Sequence, residues 1–259
     1  LTSARDTESP LVLGIETATG VCGAAVAEGG AIKAEAFLDV GLTHSSKLLE
    51  LVRRVLADAS VTLSQVDALA VSVGPGSFTG VRIGVGTAMG LAEGSGLPIV
   101  PVPTLDALAW AQRPFKGIVC AFVDARRGEV YYCFYELEWD RLNRLADYTV
   151  REPGAMLEDV GRELERRPGG AQVVLAGPRE LLQGSLEGSS VGPGPEGADA
   201  QPARVLFAPS ERAAPRPAAV AALGAELYHK GKAVPLNEVD PIYVRRSDAE
   251  LRTKKSRTP

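Results

Sequence analysis

The residues with most chemical potential in this sequence sit at turns that precede strands or helices. Gly74-Pro75-Gly76-Ser77-Phe78-Thr79-Gly80 follows an apolar run and opens a helical one. That is the arrangement of an anion site, since a helix N-terminus presents unpaired N–H groups and the positive end of the macrodipole. The run is not a P-loop, because no Lys-Ser/Thr pair closes it. It also departs from GxGxxG, because its third glycine comes one residue late and Pro75 removes a donor. Two other turns carry usable groups: Glu16-Thr17-Ala18-Thr19-Gly20, and Asp124-Ala125-Arg126-Arg127-Gly128-Glu129.

Metal and base chemistry find little support. The only histidines are His44 and His229, far apart in sequence, so neither HExxH nor HxxxH occurs. Cys22, Cys120 and Cys133 share no CxxC spacing, and each lies in an apolar run, as buried thiols of a reducing compartment do. A carboxylate-only Mg²⁺ site shared with nucleotide phosphate is the one metal option left. His44 stands just before a helix and reads as a capping or partner-facing imidazole.

The elements that must position these turns follow from periodicity. Residues 11–16, 21–27 and 31–40 read as three strands joined by tight turns, an antiparallel meander. Thr43 caps a helix over 45–59, with Leu48, Val52, Val55 and Ala59 on one face, Leu49 and Leu56 widening it, and Glu50 paired to Arg54. A strand at 68–73 leads to a helix capped by Ser77 and ending at 94–96. A strand at 97–102 and a helix capped by Thr104 follow.

A second lobe begins near Lys116, with strands at 118–124, 129–138 and 145–150, a helix at 155–166 and a strand at 173–176. Residues 184–202 are Gly-, Pro- and Ser-rich and read as a flexible insertion. A strand at 204–207, a helix at 217–229 and an extended 241–245 close the chain. The order predicts an α/β fold of two similar lobes with mixed sheets and flanking helices, the plan of the actin/Hsp70/sugar-kinase superfamily. The expected division is 1–115 for the first lobe, joined by helix 217–230, then 116–210 for the second and 231–259 for an extension with a basic tail. In that superfamily, paired hairpins face the interlobe cleft and hold phosphates and Mg²⁺. Thr17, Thr19, Asp124 and Gly128 are therefore candidate nucleotide contacts. The competing expectation is two ordinary hairpins in which Arg126 pairs with Glu129.

The helix after Ser77 is expensive. Gly84, Gly86 and Gly90 in its interior each cost about 1 kcal/mol relative to alanine. Glycines four apart open a groove for another backbone, and two offset stripes, Gly80/Gly84 and Gly86/Gly90/Gly94, imply two close neighbours.

Composition narrows the setting. The 259 residues carry a net charge of −4 with 45% hydrophobic residues, enough for a substantial core and unlike a protein that grips nucleic acid alone. No apolar run approaches the roughly 20 residues of a membrane span, and residues 1–10 lack the apolar core of a signal peptide, so a cytoplasmic address is expected. The basic cluster is Arg245, Arg246, Arg252, Lys254, Lys255 and Arg257, a solvated tail with RNA contact as the alternative.

The segments 15–19, 43–45 and 103–106, the run Gly74-Pro75-Gly76-Ser77-Phe78-Thr79-Gly80-Val81-Arg82-Ile83-Gly84, and the segments 124–131 and 241–245 together resemble the TsaB (YeaZ) family. The resemblance implies a non-catalytic subunit in the formation of N6-threonylcarbamoyladenosine at position 37 of tRNA. The expected partners are the paralogue TsaD, which carries the metal-binding histidines, and the ATPase TsaE. The chain would form a homodimer when alone and would touch tRNA only indirectly, through the complex. Thr104 and Leu108 stand where TsaD has its histidines, so no catalytic and no metal residues are expected here, and no cofactor is required beyond a possible ATP or ADP contact. Glu16 stands where an Asp is usual in the family. The implied partner surface is the pair of helices after His44 and Ser77: His44, Leu48, Val52 and Val55 on the first; Ser77, Gly80, Ile83, Gly84 and Thr87 on the second. The readings set against this one are a metallopeptidase of the O-sialoglycoprotein endopeptidase type and a small-molecule kinase with Asp124 in its cleft.

Overall fold

In the computed structural model, which describes residues 9–39, 44–139, 141–167, 172–186 and 205–245, the opening meander is present as β1 (Leu11–Glu16), β2 (Val21–Glu28) and β3 (Ala31–Asp39). β4 (Ala68–Ser72) and β5 (Ile99–Val102) add in parallel on the other side of β1, giving the order β3-β2-β1-β4-β5. All five residues of β4 are buried, as expected of a strand covered on both faces. One face packs on α1 (His44–Asp58) and α2 (Phe78–Ser95), where Leu48, Val52, Val55, Val81, Val85 and Ala88 meet Leu13, Ile15, Leu69 and Val71.

The opposite face is covered by α5 (Pro217–His229). This Ala-rich helix is apolar nearly all round, which suits a fully buried helix. It lies close to the sheet. A side chain at Gly14 would meet the Ala221 backbone at 2.6 Å, and one at Gly224 would strike Ala70.

Sheet two repeats the plan with β6 (Gly117–Arg126), β7 (Glu129–Glu138), β8 (Arg141–Arg144), β9 (Thr149–Arg151), β10 (Val173–Ala176) and β11 (Val205–Phe207). Its order is β11-β10-β6-β7-β8, with β9 also on β7. α4 (Pro153–Glu165) covers one face through Met156, Leu157, Val160 and Leu164. The other face takes α3 (Thr104–Trp110), whose Leu105, Leu108 and Ala109 pack with Val119, Ala121 and Val123. The helix that follows sheet one in sequence therefore leans on sheet two, while α5, which follows sheet two, covers sheet one.

Several local expectations are corrected. The strand expected at 145–150 is confined to Thr149–Arg151, a separate short strand, Arg141–Arg144, precedes it, and between them the Tyr148 hydroxyl donates to Asp106 at 2.7 Å. Thr104 does not cap α3. Pro103 is the capping residue, and the Thr104 amide already donates to the Gly74 carbonyl at 2.8 Å. On α1 the ion pairs are Lys47–Glu50 at 3.0 Å and Arg54–Asp58 at 3.5 Å, in place of Glu50–Arg54. The Thr43 cap, and the expected insertion from residue 187 onward, lie outside the described residues. Cys22, Cys120 and Cys133 are all buried, and none of them is in a disulfide.

The extended segment 241–245 straps the two halves together. The Ile242 amide donates to the Val73 carbonyl at 2.7 Å, Val244 joins the core of sheet two, and Arg245 pairs with Glu129.

Candidate functional site

The β1–β2 turn, 17–20, meets the N-terminus of α2 because three glycines let it in. A side chain at Gly76, Gly80 or Gly84 would collide with Ala18 or Thr17. Ser77 caps the helix by accepting the Gly80 N–H at 3.2 Å, and its own amide donates to the Ala18 carbonyl at 2.7 Å. The Thr17 hydroxyl is fully buried and donates to the Gly80 carbonyl at 2.8 Å. So the Gly80/Gly84 stripe is filled by the chain's own turn.

Beneath that turn lies Glu16, with no exposed surface. Its Oε1 accepts the Ala18 N–H at 2.6 Å, while Oε2 is buried with no partner. Burial pushes the carboxyl up to about 7, against the opposing pull of the polar groups of Ser72, Ala18 and Thr19 around it. A phosphate-holding hairpin must aim its amides outward. Here Ala18 turns its amide inward to Glu16, and Thr17 gives its amide to Ser72 Oγ at 3.4 Å. The residues of this corner do not fit a Mg²⁺-phosphate group. Thr17 is thereby corrected as a nucleotide contact: its hydroxyl is spent on α2.

Between the lobes is a cleft of about 570 Å³. Thr19, Asp39 and Ser77 line it from the first lobe, and Asp124, Arg126, Gly177, Arg179 and Phe207 from the second. Thr19 and Asp124 are thus brought to one cavity, whereas Gly128 is at the hairpin tip, away from the lining, with a φ of 76°. Asp124 accepts the Arg126 N–H at 2.7 Å and pairs with the Arg126 guanidinium at 3.2 Å. The expected Arg126–Glu129 pair is therefore replaced, and Glu129 is held by Arg245 instead. The Arg179 guanidinium lies 4.4 Å from the centre of the Phe207 ring. Asp39, Arg179 and Phe207 had no signal in the sequence, since each belongs to a different element and only the fold gathers them.

The third feature is the outer face of α1 and α2. Leu48, Val52 and Val55 are 0%, 3% and 0% exposed and belong to the core under sheet one, so they are corrected as interface residues. The same holds for Gly80 and Gly84. Ser77, Ile83 and Thr87 are half-buried, and Thr87 spends its hydroxyl on the Ile83 carbonyl at 2.8 Å. Over Gly86, Gly90 and Gly94, by contrast, nothing among the described residues lies within 4 Å of where a side chain would start. On neighbouring α1, Leu49 is 52% exposed. His44 opens α1, and its side chain is outside the described residues. Among the described residues no three His, Cys, Asp or Glu side chains gather as a metal site, and no helix is long and apolar enough to cross a membrane.

Two lobes of one strand order with a cleft between them define the two-lobed α/β fold of the actin, Hsp70 and sugar-kinase type. The model of the family "TsaD: tRNA N6-adenosine threonylcarbamoyltransferase" matches residues 39–178, more than half of the sequence, and the chain belongs to this family, in its TsaB (YeaZ) branch. Similar proteins include the tRNA threonylcarbamoyladenosine biosynthesis protein TsaB of Escherichia coli, 40% identical over 128 residues, which cover 48% of this chain and 54% of that one. The Bacillus subtilis protein of the same name is 34% identical over 148 residues, covering 57% and 63%. The matched region thus spans roughly half to two thirds of these relatives. Among solved structures, YeaZ from Pseudomonas aeruginosa superposes with a TM-score of 0.71 at 28% identity, over 91% of this chain and 100% of that one.

Proposed function

We propose that this chain is a non-catalytic scaffold and activator subunit in the formation of N6-threonylcarbamoyladenosine on tRNA, docking on TsaD through the outward faces of α1 and α2. The observation that carries the reading is the uncovered stripe Gly86/Gly90/Gly94. Each glycine inside a helix costs about 1 kcal/mol relative to alanine. Gly80 and Gly84 have an internal reason, the Thr17 turn, but the outer stripe has none among the described residues. A second helix lying in that groove, beside the exposed Leu49, would supply one. The names of the relatives support the pathway; the open stripe supports the mode of action.

The remaining partners follow from the same reading: TsaE joins the pair, the chain self-associates through the same face when TsaD is absent, and the setting is the cytoplasm. Any ATP or ADP contact falls to Thr19 and Asp124, the two candidates that line the cleft.

The test is to mix the chain with TsaD and follow co-elution and tRNA modification. Gly90→Leu is expected to abolish co-elution and stimulation while the circular dichroism spectrum is unchanged. Co-elution of Gly90→Leu at wild-type affinity would overturn the proposal. Leu48→Asp is uninformative, since Leu48 is a core residue.

A further inference from the structure

We propose that Phe78, Arg82 and Tyr243 form a stacking platform for an unpaired nucleotide of tRNA, which gives this chain a direct contact with RNA. The inference rests on the tRNA-modification reading above but not on the docking face, and it departs from the expectation that tRNA is touched only through the complex.

Phe78 and Tyr243 are 38% and 45% exposed, among the few large apolar side chains that the described residues leave at the surface. Their ring centres are 5.3 Å apart with planes inclined at 40°. The Arg82 guanidinium lies 3.7 Å from the centre of the Phe78 ring, and its Nε donates to the Tyr243 hydroxyl at 3.2 Å. The cluster is fixed from two sides: Phe78 is the first residue of α2, behind the Ser77 cap, and Tyr243 follows the Ile242 amide bonded to Val73. Rigid aromatic faces held beside an arginine suit single-stranded nucleic acid, because every base has a π-face and the guanidinium can serve the backbone phosphate.

Charge favours RNA over a protein partner. Among the described residues Arg82 has no carboxylate within ion-pair distance, unlike Arg126, Arg216 and Arg245. In sequence, Tyr243 is followed by Arg246, Arg252, Lys254, Lys255 and Arg257 against only Asp248 and Glu250, within a chain of net charge −4. An uncompensated guanidinium on an aromatic pair, tethered to a basic segment, complements a polyanion.

The experiment measures binding of the full chain to a labelled anticodon stem-loop RNA and to a blunt RNA duplex at low salt, by fluorescence anisotropy. Preference for the stem-loop is expected, with Tyr243→Ala and Arg82→Ala each weakening binding about tenfold. Tyr243→Phe should keep most of the affinity, and all three variants should keep the wild-type melting temperature. Equal affinity for loop and duplex, or variants that bind as wild type does, would sink the platform. So would variants that lose affinity for TsaD while RNA binding is unchanged, since the cluster would then be a protein contact. A parallel assay of threonylcarbamoyladenosine formation separates the two ideas. Stimulation by the wild-type chain together with failed RNA binding leaves the function and removes the platform; the converse leaves the platform and removes the function.

Discussion

The two sheets run their strands in the same order, yet the turn joining the first two strands is used in opposite ways. In the first lobe, turn 17–20 folds inward, its amides given to Glu16 and Ser72 and the Thr17 hydroxyl to α2. In the second, residues 126, 127 and 128 run at φ values of 62°, 61° and 76°, and Asp124 beside them faces the cleft with its side chain 38% exposed. The neighbour makes the difference. Between β4 and β5 lies the 18-residue α2 with glycines against the turn. Between β10 and β11 the described residues hold only a short 3₁₀ turn, Arg179–Leu182. A duplicated fold has closed one corner of its cleft by packing a helix on it and left the other open.

The largest effect should come from forcing the closed corner apart. Gly84→Leu sets a branched side chain against Thr17, where even a Cβ collides. Overpacking of a tight contact costs about 1–3 kcal/mol and sometimes more, and the upper end is expected here because the obstacle sits on a sheet strand's turn. Urea denaturation should show a much lower midpoint or no folded state, while Gly90→Leu, over open space, keeps its cooperative transition. A wild-type midpoint for Gly84→Leu would show that the turn is not locked.

Glu16 tests the same corner by pH. Its folded carboxyl is raised to about 7 from a reference of 4.5, so the folded state holds a proton that the unfolded chain has released. Stability from this group is complete below pH 4.5, falls as pH rises towards 7, and stays lower above it, by about 3 kcal/mol at 1.36 kcal/mol per unit. Glu16→Gln should therefore match wild type near pH 4 and exceed it by up to about 3 kcal/mol at pH 8. Parallel stability curves across that window would mean the carboxyl is not buried as described.

The interlobe contact gives a smaller effect. Asp106 on α3 accepts hydroxyls from Tyr135 and Tyr148 of the second lobe, each at 2.7 Å, in a site whose burial raises the carboxyl above its usual range. Tyr148→Phe removes one of the two donors and should cost about 1.5 kcal/mol, the lower end for a hydrogen bond to a charged group. Amide exchange should quicken in α3 more than in α5, which has no such tie to sheet two.

How far these features were legible follows from how local they are. The meander, the Ser77 cap and α5 could be read off because turn residues and apolar periodicity are local signals. The glycine spacing on α2 announced two grooves, but not that the chain itself fills Gly80/Gly84, because the filler is a turn some sixty positions earlier. For the same reason the sequence places Leu48, Val52 and Val55 on a partner surface whereas the structure buries them in the core: an apolar stripe says that a helix face is covered and does not say by what. The cleft lining was mostly hidden, since Asp39, Arg179 and Phe207 come from separate elements. The platform had one local trace, Phe78 and Arg82 four apart on one helix face, while its third member arrives from residue 243.

The smallest change tests whether the two glycine stripes differ in kind. Gly90→Ala adds one methyl where no described atom of the chain lies within 4 Å, so the monomer, diluted until any homodimer has dissociated, should gain about 1 kcal/mol from helix propensity alone. Gly80→Ala makes the same chemical change on the other stripe and should lose stability, because its methyl meets the Thr17 carbonyl. Opposite signs in one denaturation experiment would separate a groove kept for the fold from one kept for something outside it. The methyl at Gly90 should also weaken association with TsaD although the chain itself is more stable, a pairing that general destabilisation cannot produce. If Gly90→Ala is stabilised and still binds TsaD as wild type does, the outer stripe is not where the second helix lies.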